Sequence, residues 1–229
     1  VQQLTAENRQ IVLGRTYEEG NYTFKEICND KMFVVGKSGF ITIPNKTQYS
    51  GWSKKQVSGI SEDGHGWVDL DLPSGTIWCT ENFGADLEEY KKTGDGYCLI
   101  GALCPWGSVD YTNYSQSTTD IGGTDKDIVT MAWGKTWRIP SWDNAKELID
   151  NTTRIFYEGY LNNVHAYVWT GKNDEIIVMP IQNRSVTNAF WTSTPFTVND
   201  EAWMFRVDGS STPYFKRSNA TEIRPIMVK

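Results

Sequence analysis

His65 and His165 are the two side chains of this sequence able to act as general bases near neutral pH. Neither adjoins a Ser or Cys in a recognisable nucleophile motif. His65 sits in Gly64-His65-Gly66 and reads as a loop residue, while His165, between Val164 and Ala166, reads as a structural residue on a strand. The cysteines Cys28, Cys79, Cys98 and Cys104 form no CxxC pair of the kind that binds zinc or exchanges disulfides. Cys98 and Cys104 are spaced for a possible bridge, and the apolar run Tyr97-Cys98-Leu99-Ile100 equally suits buried reduced thiols. Asp125 and Asp127 lack the further oxygen ligands of a calcium loop and read instead as negative charges in a helix's first turn. No catalytic residue, metal or cofactor is expected, and the chain reads as a non-enzyme.

The aromatic residues offer a different chemistry. Trp191, Trp203, Phe205, Tyr214 and Phe215 fall late in the chain, interleaved with Asn188, Asn199, Glu201, Arg206 and Arg217. Flat rings stack on sugar faces or anchor protein partners, and amide, carboxylate and guanidinium groups beside them supply directional hydrogen bonds. Trp191 and Phe205 lie within strand-like runs and are expected in the core. Trp203, Tyr214 and Asn199 are expected at the surface, and with Glu201, Arg206 and Arg217 they make the candidate ligand-binding set.

These groups must be positioned by strands. The stretch Trp67–Ala85 contains Val68, Leu70 and Leu72 alternating with Asp69 and Asp71, then Pro73-Ser74-Gly75, then Thr76–Thr80. That pattern predicts a hairpin with one apolar face and one carboxylate face. Helices are expected over Leu87–Lys92, capped by Asp86 and stopped by Gly94, and over a segment opened by Asp125-Lys126-Asp127 and stopped by Gly134, with Ile128, Met131 and Ala132 at the helical spacing of an apolar face. A third is capped by Ser141, buries Trp142, Ala145, Leu148 and Ile149, and stops at a left-handed Asn151. The loop Gly107–Gly123 has little periodicity and reads as surface. From Thr153 on the pattern is strands: Val164–Thr170 and Glu175–Met179 around a four-residue turn, then Ala189–Ser193, Ala202–Val207, Thr212–Lys216 and Ile223–Val228. Pro225 places the last of these at an edge or a bulge.

Residues 1–62 read as a β-rich lead-in and linker, with a short helix over Ala6–Leu13, strand pieces at Tyr22–Phe24, Met32–Val35 and Phe40–Ile43, and a polar connection over Gln48–Gly66. The net charge of −6 and pI near 5.0 argue against nucleic acid. No uncharged run approaches the roughly 18 to 20 residues that span a bilayer. The first residue is Val, which leaves room for an export signal or a lipid anchor upstream, so the expected location is extracellular or the outer cell surface.

Four segments in order, VDLDLPSGTIWCTENFGA (68–85), AWGKTWRIPSWDNAKELI (132–149), FWTSTPF (190–196) and IRPI (223–226), resemble the Fibrobacter succinogenes major paralogous domain, a C-type lectin-like fold of gut-bacterial surface proteins. The resemblance implies an α+β, C-type lectin-like domain over 63–229 whose first and last strands lie together and whose irregular half carries ligands. It departs from that family at Tyr97–Trp106, where a shorter aromatic-glycine segment is usual. Calcium-dependent sugar-binding lectins carry a Glu-Pro-Asn or Gln-Pro-Asp triplet and a later Trp-Asn-Asp, whereas this chain has only Val198-Asn199-Asp200. Trp137–Leu148 is also similar to a turn and helix of formylglycine-generating oxidases, but their Arg-Gly-Gly-Ser segment and paired cysteines are missing. The expected function is recognition or adhesion, binding a glycan or a surface protein; the alternative is a structural subunit of a surface appendage.

Overall fold

The computed structural model describes residues 57–161, 164–181, 188–196, 200–210 and 214–228, and the backbone of five short strands before them. Those strands are β1 (Gln2–Gln3), β2 (Glu18–Glu19), β3 (Tyr22–Thr23), β4 (Val34–Val35) and β5 (Phe40–Thr42). β4 and β5 pair antiparallel, as expected of the strands on either side of residues 36–39, with Val34 opposite Thr42 and Val35 opposite Ile41. β1 joins the other edge of β5, and β2 pairs with β3. The expected helix Ala6–Leu13 and Cys28 lie outside the described residues.

The central sheet begins upstream of the predicted hairpin. β6 (Ser58–Ile60) pairs with β7 (Gly66–Asp69), which pairs with β8 (Ile77–Cys79), so the polar stretch expected as a connection ends in a strand. The ladder of β7 stops at Asp69, short of the expected alternation through Leu72. Asp71 has φ 56° and donates its N–H to Asp69 Oδ1 at 3.0 Å, a local turn that ends the ladder after Asp69. Asp69 is consequently buried, not on a carboxylate face in solvent, while Leu70 and Leu72 still reach the core.

Three helices follow the capping signals. α1 (Leu87–Thr93) starts where Asp86 accepts from the Glu89 N–H and ends at Gly94, whose φ of 69° is cheap only without a Cβ. A 3₁₀ turn over Gly96–Leu99 leads to β9 (Cys104–Pro105). α2 (Ile128–Trp133) buries Ile128, Val129 and Thr130; Met131, at 59% exposure, and Ala132 are both exposed, not on the buried face, because a helix of under two turns presents its first residues to the core. β10 (Trp137–Arg138) leads through Pro140 to α3 (Trp142–Asn151), where Ser141 and Asn144 form a reciprocal capping box. Asn151 is the last helical residue, not a left-handed stop, and the chain leaves α3 directly in an extended Thr152.

Long strands complete the chain. β11 (Thr153–Leu161), β12 (Val164–Thr170) and β13 (Ile176–Ile181) make one antiparallel sheet. β14 (Ala189–Pro195), β15 (Glu201–Arg206) and β16 (Phe215–Lys216) make another. β17 (Ala220–Thr221) pairs with β9. β18 (Ile226–Met227) lies between β8 and β10, inside the central sheet and not at its edge. Pro225 sits just before the ladder, where its missing N–H costs nothing and its carbonyl accepts from Cys79 at 2.9 Å. The two ends of the 67–229 region therefore share one sheet.

The β14–β15 sheet separates two cores. Phe190 and Phe205 stack at 5.2 Å and face Leu148, Trp169 and Trp78; Trp191 and Met204 face Trp106, Trp137 and Ile139 on the other side. A third core joins Tyr90 and Leu99 to Tyr160, Leu161 and Val168. Fully burying one such side chain is worth about 1.5–3 kcal/mol. The fold is mixed, with mostly antiparallel sheets and few helices.

Candidate functional site

The β15 alternation that buries Ala202 and Met204 turns Trp203 the other way, toward the first residue of α3. Trp203 stacks on Trp142 with ring centroids 4.5 Å apart and 23° between planes. Its edge meets Phe196 at 5.3 Å, and Phe196 stacks on Tyr214 at 4.7 Å. Trp142, Trp203 and Phe196 are half-buried, and Tyr214 is 44% exposed. The result is a row of four rings along the surface. Backbone bonds fix it: the Phe196 N–H donates to Glu201 O at 3.0 Å, and the Trp142 N–H donates to Thr194 Oγ1 at 2.9 Å. Each aromatic pair adds about 0.5–1.5 kcal/mol beyond burial.

Carboxylates flank the row. Thr194 Oγ1 donates to Asp120 Oδ2 at 2.8 Å, and Tyr114 Oη donates to Asp200 Oδ2 at 3.3 Å, which ties the 107–123 loop to the strip. The loop is also pinned from beneath. The guanidinium of Arg217 lies 4.4 Å above the ring of Trp106 and donates to Ser115 O, Ser117 O and Glu201 O. Trp106 is itself anchored by its Nε1–H on Thr192 O at 2.8 Å. Tyr111 remains 52% exposed on the loop's outer side. Nearby, the N–H of Thr112 holds the Asp110 carboxyl down at about 2, so this acid is ionised throughout the neutral range.

Of the residues chosen from sequence, Trp203, Tyr214 and Glu201 come together here, with Glu201 opposite Lys216 across β15–β16. Arg217 is adjacent but only 5% exposed, with its guanidinium spent on backbone carbonyls. Arg206 stands at the far end of β15, about 17 Å along the strand, with Nε 3.8 Å from Asp208 Oδ1. Asn199 lies outside the described residues. Trp191 and Phe205 are core residues, as their strand-like context implied. Sequence reasoning missed Phe196, and it assigned Trp142 wholly to the helix's buried stripe. The signal for both was local: Trp142 immediately follows the N-cap, and Phe196 immediately follows Pro195 at a strand end.

Neither histidine completes a catalytic arrangement among the described residues. His165 Nδ1 accepts the N–H of Gly159 at 2.9 Å, holding an irregularity in β11, which is a structural role. His65 is more than a loop residue: its Nδ1 is 2.9 Å from Glu81 Oε1, and its ring stacks on Trp133 at 3.6 Å. No hydroxyl or thiol of the described residues hydrogen-bonds to either ring. Cys79, Cys98 and Cys104 are free thiols, so the Cys98–Cys104 bridge is not formed, and burial pushes the Cys104 thiol up to about 12. Among the described residues no group of three His, Cys, Asp or Glu converges to hold a metal, and no helix is long and apolar enough to cross a membrane. Set against protein-family models, curated proteins and solved structures, the chain finds no match.

Proposed function

We propose that this chain is an exported recognition module of C-type lectin-like fold that binds glycans through the aromatic row Trp142–Trp203–Phe196–Tyr214. The observation that carries the proposal is that row itself: four contiguous rings left partly in solvent beside Asp120, Asp200 and Glu201. Saccharides present apolar C–H faces for ring stacking and hydroxyls that donate to carboxylates, so the two features suit one ligand class. The lectin-like reading of the fold is supported by the four ordered motifs and by the shared sheet of β8 and β18. The test is a glycan array followed by titration of the best ligand against Trp203→Ala and Tyr214→Ala, with folding checked by circular dichroism. Each variant is expected to lose roughly tenfold or more in affinity, about 1.4 kcal/mol or more. Unchanged affinity in both variants would reject this placement of the site.

A further inference from the structure

The aromatic row carries charges of one sign at both of its ends. Asp120 is tied to the Trp142 end, since its Oδ2 accepts from Thr194 Oγ1 at 2.8 Å and that oxygen accepts the Trp142 N–H at 2.9 Å. Glu201 lies two residues before Trp203 on β15 and so shares its face, and its carbonyl holds the Phe196 N–H. Asp200, just before it, accepts from Tyr114 Oη at 3.3 Å. Asp143 follows Trp142 in the first turn of α3.

No cationic side chain of the described residues lies within 4.0 Å of the carboxylates of Asp120, Asp143, Asp200 and Glu201. Lys216 stands opposite Glu201 across β15–β16, and Arg217 is buried beneath the loop with its guanidinium on backbone carbonyls. These two cations offset part of the field and leave an excess of negative charge beside rings whose faces are themselves electron-rich. An anionic saccharide is repelled by such a border, and a neutral one meets it only through ordinary hydroxyl bonds. An ammonium group gains in two ways. Its bond to a carboxylate is about twice as strong as a neutral hydrogen bond, and ring faces attract it as well.

We propose that the row is selective for amino sugars: it binds an oligosaccharide of hexosamines with free amines, their C–H faces on the rings and their ammonium groups on Asp120 at one end and on Asp200 and Glu201 at the other. This rests on the glycan reading of the site and narrows it to one substrate class. Carboxylates at both ends of a row of four rings suit a chain that repeats its charge better than a single sugar. The rings supply the affinity common to saccharides, and Asp120, Asp200 and Glu201 determine which saccharide is taken.

The test is isothermal titration calorimetry on the full chain with β-1,4-linked hexasaccharides of glucosamine, N-acetylglucosamine and glucose, which differ only at C2. A mildly acidic pH keeps the amines and the carboxylates charged together. The glucosamine hexamer is expected to bind at least about tenfold more tightly than either neutral hexamer in about 50 mM salt, and the gap to narrow in about 500 mM salt as exposed charges are screened. Asp120→Asn removes the charge at one end. Asp200→Asn removes one at the other, at a φ of 54° that Asn also tolerates. The double variant, its fold checked by circular dichroism, should bring the glucosamine and glucose hexamers to within about threefold of each other. If it does not fold, Asp200→Asn alone decides, with an expected loss of at least about threefold for the glucosamine hexamer. Absence of glucosamine binding, equal affinity for the three hexamers, or selectivity unchanged by the aspartate variants would each overturn the proposal. So would binding that survives both Trp203→Ala and Tyr214→Ala, since that is the general attraction of a polycation to a protein of net charge −6. An array on which an amine-free glycan binds best, and is lost in those two ring variants, would overturn the amino-sugar proposal and leave the glycan reading standing.

Discussion

Replacing Arg217 by Ala removes three hydrogen bonds from a charged group and a stacked contact with Trp106. Such bonds contribute about 1.5–3 kcal/mol each, and a cation over a ring about 0.5–2 kcal/mol. The guanidinium loses hydration on burial, which lowers its pKa, and that desolvation cost disappears with the side chain. A net loss of about 3 kcal/mol is the reasonable expectation, or roughly 6–12 °C in Tm for a domain of this size. Arg217→Lys should recover little of it, since one ammonium cannot span carbonyls from Ser115, Ser117 and Glu201. Urea titration followed by tryptophan fluorescence gives the stability, and hydrogen exchange over the 107–123 loop gives the local consequence. The loop amides of both variants should exchange faster, and glycan affinity should fall with them. A stability loss below about 1 kcal/mol with unchanged loop protection would refute the idea that Arg217 staples the loop. Loss of glycan binding with stability and exchange both intact would instead make Arg217 a direct ligand contact.

Three further outcomes follow from buried groups. Asp127→Asn should cost about 2–5 kcal/mol in urea titration, because the carboxylate accepts from the N–H groups of Gly123, Val129, Thr130 and Ile139, and an amide –NH₂ in place of one oxygen would oppose two of these donors. Burial raises the Glu222 carboxyl above its ordinary value near 4.5, so the protonated form is favoured in the folded state and stability is lost as pH rises through the raised value. Glu222→Gln should therefore be more stable than the parent at neutral pH, with the difference vanishing below about pH 4.5 in paired melts. Gly96→Ala would place a Cβ 2.0 Å from Leu161 O, forcing a backbone shift that should lower stability by about 1–3 kcal/mol in thermal melts.

Features set by neighbours in sequence were legible. Asp86 and Ser141 each cap the helix they were assigned to, and the hairpins around 73–75 and 171–174 form where glycine, proline and asparagine direct them. Features set by distant partners were not. Asp127 was read as an ordinary first-turn charge, and only the return of the chain at Ile139 makes it a buried hub. Arg217 was read as a surface contact because nothing near it in sequence shows that the 107–123 loop closes over it. His65 met the same limit, since its partner Glu81 lies just past the far strand, β8, of the hairpin it precedes. For the candidate site, alternation along β15 separated Trp203 from Met204, but the other three rings of the row come from three other segments, and their convergence is a tertiary fact. Residues 197–199 lie outside the described structure, so the choice of Asn199 has no coordinates beside it.

Because Ile226 and Met227 fill the slot between β8 and β10, the sheet acquires its middle after its flanks. A nascent chain on the ribosome would hold the inner edges of β8 and Trp137–Arg138 unpaired until Ile226 and Met227 cleared the exit tunnel. Synthesis therefore acts as a timer on assembly, and the waiting edges are the places where a chaperone, or another unfinished copy, would first take hold.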